Sequence, residues 1–268
     1  MSNVHPTAVI HPTAKIDPAA VIGPYAIIGE GSVIGAGTSV GAHAVVEFAT
    51  LGKNNRLHPG CYVGTAPQDL KYAGVNTRLL MGDANTVREC VTLNRGTSAT
   101  GETRIGSGCL FMAYSHVAHD CHIGNGVILV NSVGVAGHVE IGDHTVIGGI
   151  SGVHQFVRIG RMCMIGGGSM VSKDVPSFCT AQGDRATLRG LNLIGLRRSS
   201  LPRETVRAIK NAYRILFLSG QPLETALAEL KTPEAPPEIQ ELIHFIESSK
   251  RGVLRPTAGA QAEEEVTL

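Results

Sequence analysis

VHPTAVIHPTAKIDPAAVIGPYAIIGEGSVIGAGTSVGAHAVV, residues 4–46, places Val or Ile at every sixth position: Val4, Ile10, Ile16, Ile22, Ile28, Ile34, Val40 and Val46. Gly, His or Asp usually follows the aliphatic residue, and such residues form bends. So short a period is a solenoid of parallel β-strands, each unit one strand and one turn. The beat returns at Leu51, Leu57 and Val63, and at Met81, Val87 and Leu93. It then continues from Ile105 through Phe111, Val117, Ile123, Leu129, Val135, Ile141, Ile147, Val153, Ile159 and Ile165 to Val171. If three units close one triangular coil, residues eighteen apart stack at the strand spacing of about 4.8 Å.

The chain has 268 residues, no Trp, 4% aromatic residues, 33 Gly and a net charge of +1, a balance that argues against general nucleic-acid binding. No basic, apolar leader opens it and no long apolar run interrupts it, so a cytoplasmic protein without a membrane span is expected. The six cysteines form no C-x-x-C pair, and Cys61, Cys109, Cys121 and Cys163 all fall four residues after the aliphatic position. There they read as small core fillers, not as ligands or disulfide partners.

Two interruptions, 65–80 and 98–104, are expected as extruded loops, which in solenoids gather on one face, often the binding face. Asp69 and Lys71 in the first are plausible contacts for a polar ligand, although a merely solvated loop would look the same. The β-helix is expected to span 1–177, with a helical domain over 178–255 and a disordered tail over 256–268. Pro202 to Leu218 carries an apolar stripe of Val206, Ile209, Tyr213, Leu216 and Phe217, and shorter helices are expected over 223–230 and 238–248. Arg203, Arg207, Lys210 and Arg214 share one face of the first of these helices, as a solubilising surface or a dock for an acidic partner.

Histidines crowd one segment, Tyr114-Ser115-His116-Val117-Ala118-His119-Asp120-Cys121-His122, followed by His138, His144 and His154. The eighteen-residue step puts His119, Gly137 and Gln155 in one column and Asp120 under His138. An imidazole, a neighbouring carboxylate and an unobstructed glycine N–H are the parts needed for proton abstraction and oxyanion stabilisation. No Ser or Cys stands in an activated turn, so acyl transfer by direct attack fits better than a covalent enzyme intermediate.

The motifs H-V-A-H-D-C-H-I-G-N at 116–125, A-G-H-V at 136–139, G-G-x-S-G-V-H-Q-F at 148–156, D-V-P at 174–176 and G-x-N-x-x-G-L-R-R at 190–198 resemble the acyl-[acyl-carrier-protein]:UDP-N-acetylglucosamine O-acyltransferase family. P-Q-D-L-K-Y at 67–72 and Lys210-Asn211-Ala212-Tyr213 match as well, so the resemblance runs from about Val4 to Arg255. It implies a left-handed parallel β-helix followed by a small α-helical C-terminal domain, and a homotrimer with active sites between adjacent β-helices. It further implies transfer of a 3-hydroxyacyl group from acyl carrier protein to the sugar 3-hydroxyl of UDP-N-acetylglucosamine, the first step of lipid A synthesis, with no cofactor or metal.

By the same resemblance His119 is the general base, Asp120 orients it and Gly137 supplies the oxyanion-binding N–H, while His116, His138, His154 and Gln155 position the substrates. Asp69, Lys71, Asn192 and Arg198 match positions that hold the nucleotide sugar or the donor, and Gly167 matches the place where side-chain size limits acyl length. Ile194, Ser199 and Asn94 depart from the family pattern, where an acid, an Arg and a His are more usual. Two other classes fit less well. A hexapeptide-repeat carbonic anhydrase would use three histidines on zinc but gives Asp120, Gly137 and the helical extension no purpose; a purely structural solenoid leaves the histidines unexplained.

Overall fold

The structure is a computed structural model that describes residues 3–257. Its body is a left-handed parallel β-helix with a small helical C-terminus. The hexapeptide beat becomes a triangular coil because each unit holds a strand of mostly two residues and a turn, and three units return the chain to its start. Val9–Ile10 pairs in parallel with Ile27–Ile28, which pairs with Val45–Val46, and the series continues through His116–Val117, Gly134–Val135 and Gly152–Val153 to Met170–Val171. This is the first face of the prism. The second runs from Lys15–Ile16 to Arg158–Ile159, and the third begins at Val21–Ile22.

The register is the expected one: Ile10 lies against Ile28, Val117 against Val135, and Val135 against Val153. Every such aliphatic side chain from Ile22 onward points into the coil and is buried. Burying one contributes about 1.5–3 kcal/mol, so the stacked columns are the main stabilising term. Cys61, Cys109, Cys121 and Cys163 belong to the same core, where desolvation pushes the thiols of Cys61 and Cys121 up to about 12. They are inert fillers at neutral pH.

The first extruded segment is shorter than expected, and the second keeps its expected length but lies three residues nearer the N-terminus. Arg78–Met81 is a strand that pairs with Ala49–Leu51, and Glu102–Ile105 pairs with Arg78–Met81, so the loops proper are 66–77 and 95–101. The residues flanking each insertion satisfy most of their backbone groups by rejoining the sheet.

Loss of the beat at Asp174 does not end the sheet at 177. Cys179–Gln182 continues the third face in parallel, and Thr187–Leu191 folds back on it as an antiparallel partner, closing the end of the coil. After it come the helices α1 (Leu193–Arg198), α2 (Arg203–Tyr213), α3 (Leu223–Leu230) and α4 (Pro237–Glu247), with a π-helical turn, Arg214–Leu218, prolonging α2. The short helix α1 is an addition to the helices expected from apolar periodicity. Ile209, Tyr213 and Leu216 are buried as the apolar stripe requires. Pro256, expected to open a frayed tail, bridges to Leu188, and 258–268 lie outside the described residues. Among the described residues no helix is long and apolar enough to cross a membrane.

Candidate active site

The corner between the first and second faces builds the site. Asp120, His138 and Phe156 occupy equivalent corner positions in successive coils, each with a left-handed backbone, φ +59°, +61° and +64°. That region disfavours L-residues, and Asp and His tolerate it better than most. His138 N–H donates to the His119 carbonyl at 3.0 Å and Phe156 N–H to that of Gly137 at 3.2 Å, so the expected columns exist. The His138 ring stacks on Phe156 and stands edge-on to His119.

His119 Nδ1 lies 2.7 Å from Asp120 Oδ2, and His138 Nε2 lies 3.8 Å from the same oxygen. The Asp120 side chain is wholly buried. Burial alone would raise its pKa, but hydrogen bonds from Thr100, Thr97 and His119 outweigh that effect and hold the carboxyl at about 2. A carboxylate on Nδ1 fixes the tautomer that presents Nε2 as a base. Nε2 faces Gly137: a Cβ added there would come within 2.8 Å of it and 2.6 Å of Cε1. Glycine is therefore required beside the imidazole, and among the described residues no acceptor meets the Gly137 N–H. Burial lowers the pKa of His116, whose Nδ1 shares a 2.7 Å hydrogen bond with Thr92 Oγ1, so this ring is a neutral hydrogen-bonding group at pH 7.

A groove of about 1060 Å³ runs along the first face over these residues. His116, His119, Gly137, His138, His154 and Gln155 line it, and the first insertion brings Asp69 and Lys71 to its wall. Eight of the expected site residues therefore meet in one place, with Asp120 directly behind His119. Gly167, Asn192 and Arg198 do not line this groove within one chain. Asn192 caps α1 through Gly195 N–H and donates to the Met162 carbonyl. Arg198 is exposed on α1, and the position of a Cβ on Gly167 meets only ordinary contacts. Arg203, Arg207, Lys210 and Arg214 are exposed along α2 and its π-helical end.

Of the departures, Ile194 is exposed on α1 and the Ser199 hydroxyl donates to the Leu196 carbonyl. Asn94 is buried, with its amide donating to Thr65 Oγ1.

Two groups of residues that build the surroundings of the site carry no clear signal in the sequence. Thr97, Thr100 and Thr103 of the second insertion and the strand after it surround Asp120. Arg95 roots the first insertion, with Nη1 donating to Glu47 Oε1 at 3.0 Å and to the Gly64 carbonyl at 2.9 Å, and Nε to Tyr72 Oη at 3.1 Å. What the sequence offers there is a density of Thr and Gly in Thr92-Leu93-Asn94-Arg95-Gly96-Thr97, which reads as turn chemistry.

Among the described residues, His119, Asp120 and His138 are the group that could converge on a metal ion. Tetrahedral zinc at about 2.1 Å holds its ligand atoms roughly 3.4 Å apart, so the 2.7 Å His119–Asp120 contact is a hydrogen bond that an ion would have to break. Both Asp120 oxygens also already accept other protein donors. The set suits a proton-transfer dyad.

Residues 174–254 match the family model described as "Udp N-acetylglucosamine O-acyltransferase; Domain 2", and 102–137 match "Bacterial transferase hexapeptide (six repeats)". Residues 3–100 match a model described as the GMPPB C-terminal domain. An acyl-[acyl-carrier-protein]:UDP-N-acetylglucosamine O-acyltransferase from Myxococcus xanthus is 50% identical over 208 residues, 77% of this chain and 81% of the relative. The crystal structure of UDP-N-acetylglucosamine O-acyltransferase from Moraxella catarrhalis superposes with a TM-score of 0.91 at 46% identity, covering 94% of this chain and 100% of that one. The UDP-N-acetylglucosamine acyltransferase of Francisella novicida superposes with a TM-score of 0.93 at 34% identity, covering 99% and 98%.

Proposed function

This chain belongs to the acyl-[acyl-carrier-protein]:UDP-N-acetylglucosamine O-acyltransferase family, and on that premise we propose that it transfers a 3-hydroxyacyl group from acyl carrier protein to the 3-hydroxyl of UDP-N-acetylglucosamine, the first step of lipid A synthesis. The observation that carries the reading is the His119–Asp120 dyad with the imidazole packed against Gly137. His119 Nε2 takes the proton of the sugar hydroxyl as its oxygen attacks the thioester carbonyl, and Asp120 stabilises the imidazolium. The Gly137 N–H receives the developing oxyanion. Collapse of the tetrahedral adduct breaks the C–S bond, and the proton returns from His119 to the carrier thiolate, so no covalent enzyme intermediate and no metal take part.

His116, His138, His154 and Gln155 line the groove where donor and acceptor meet, with Asp69 and Lys71 at its wall. Exposed Val9, Ile27 and Tyr62 on the first face support packing against copies of the chain, and a homotrimer would close the groove from the other side. Asn192, Arg198 and Gly167 then act in the assembled groove, Gly167 by leaving room for the acyl chain. The whole cycle belongs in the cytoplasm, where the carrier protein and the nucleotide sugar are found together.

His119→Ala should lower kcat by about 10²- to 10⁴-fold with an unchanged melting temperature. Near-normal turnover in the folded variant would sink the assignment. The exposed Arg203, Arg207, Lys210 and Arg214 stripe docks the acidic carrier by electrostatic steering. Arg207→Glu with Lys210→Glu should raise KM for the acyl-protein and flatten its salt dependence, with KM for the nucleotide sugar preserved. Donor kinetics unaltered at low salt would leave the stripe as a solvated surface.

A further inference from the structure

Asp120 accepts more than the His119 bond, and its other donors come from the second insertion, not from the coil that carries it. Thr97 N–H donates to Oδ1 at 3.0 Å and Thr97 Oγ1 to Oδ2 at 2.6 Å. Thr100 Oγ1 reaches both Asp120 Oδ1 and the Glu102 carbonyl, and its single proton goes to the stronger, charged acceptor. Asp120 N–H in turn donates to Thr103 Oγ1 at 2.8 Å. Three threonines three residues apart thus close around one buried, left-handed aspartate.

The division of bonds is informative. Oδ1 takes Thr97 N–H and Thr100 Oγ1; Oδ2 takes Thr97 Oγ1 and His119 Nδ1. The carboxylate cannot rotate without breaking bonds on both oxygens. Its charge is shared among hydroxyl, amide and imidazole donors, and among the described residues no Lys or Arg is paired to it; the other titratable groups facing the dyad are His138, whose Nε2 lies 3.8 Å from Oδ2, and His116 on the His119 side. None of the three threonines lines the groove. A loop built only to cross from one coil to the next has no need to aim two hydroxyls and an amide at one buried carboxylate.

We infer that the second insertion is an acid clamp: Thr97 and Thr100 are positioning residues that lock Asp120 in the one orientation that holds His119 as an Nδ1–H tautomer, while Thr103 fixes the Asp120 backbone. The inference rests on the assignment of His119 as general base. The clamp works through Asp120 without touching either substrate, and it also moderates the pull of Asp120 on the Nδ1 proton. Without it the carboxylate is more basic and the imidazolium persists to higher pH.

The test compares Thr97→Val with Thr100→Val in one protein, the matching double Ser variant, and His119→Gln, each as the full chain. Steady-state kinetics across pH are measured together with ¹⁵N NMR of the His119 imidazole. The double Val variant should lose about ten-fold or more in kcat with both KM values close to wild type, because only a step after binding is affected. The acid limb of its kcat profile should move to higher pH, and His119 should show mixed tautomers; the Ser pair should restore all three. A folded double Val variant with wild-type kcat, acid limb and single tautomer overturns the clamp, while an inactive His119→Gln leaves the base assignment standing. An active His119→Gln overturns that assignment instead. If the double Val protein does not fold, Thr100→Val alone, at an exposed position, is put through the same measurements, and the same outcomes uphold or overturn the clamp.

Discussion

The two insertions interrupt the same solenoid within a few coils of one another and do opposite things. The first, 66–77, turns its side chains outward: Leu70 is fully exposed, and Gln68 to Lys71 border the groove. The second, 95–101, turns inward onto a buried carboxylate. They meet at Arg95, which opens the second, holds Tyr72 of the first through Nε and binds the coil at Glu47 and the Gly64 carbonyl, its guanidinium 4.4 Å over the Phe48 ring. A regular solenoid offers only flat faces and identical corners. Insertions are where it acquires both a wall that can recognise substrate and a shell that can hold a catalytic charge, and burial decides which of the two an insertion becomes.

The largest effect is expected where the inward insertion delivers its bonds. Asp120→Ala should lower kcat by about 10²-fold or more, since the imidazole loses its orienting partner. It should also destabilise the protein, because each buried donor left unpaired costs about 1–3 kcal/mol. The pH dependence has a definite sign. Asp120 is held at about 2, below an ordinary carboxyl near 4, so its contribution is fully present above about 4 and fades as pH falls toward 2. Denaturant titrations at neutral pH and near pH 2 should show the gap between wild type and Asp120→Ala closing in acid. A gap of constant size would mean that the threonines do not preferentially hold the anion.

A smaller and different loss is expected at the shared anchor. Arg95→Met keeps much of the apolar contact with Phe48 but strands Glu47, Tyr72 and the Gly64 carbonyl, for about 2–4 kcal/mol. If the insertions are separate devices, KM for the substrate that the wall holds should rise and proteolysis within 66–77 should accelerate, while kcat stays within a few-fold of wild type. A kcat loss matching that of Asp120→Ala would show that Arg95 couples the wall to the dyad.

Much of this is legible in the sequence alone. The six-residue beat fixes the coil because each aliphatic residue must face one narrow interior, and the eighteen-residue step then predicts that His119, Gly137 and Gln155 stack. Asp120 beside His119 is a local pair, visible in any reading. The threonine clamp is not legible, because Thr97 and Thr100 approach Asp120 from about twenty positions upstream, through a loop whose composition signals only a turn. Cys179–Gln182 and Thr187–Leu191 are hidden for a related reason: an antiparallel hairpin can continue a parallel face without keeping its period. Asn192 shows the reverse limit, since its motif marks it for substrate while within one chain its side chain caps a helix and holds Met162.

The mildest perturbation belongs to the outward insertion itself. Lys71 is exposed, and its backbone N–H donates to Asp69 Oδ1 at 3.0 Å, so the loop turn is held by Asp69 and not by the lysine side chain. Lys71→Ala should therefore change stability by no more than about 0.5 kcal/mol, as exposed substitutions do. Its ammonium at the groove wall is a mobile cation suited to a phosphate or to the thioester donor. Truncation should raise KM for one substrate by roughly ten-fold with kcat little changed, the mark of binding that is equal in the ground and transition states. Which KM moves identifies what the wall holds. A fall in kcat without change in either KM would place Lys71 with the inward group, and the contrast between the two insertions would fail at the residue where it should be clearest.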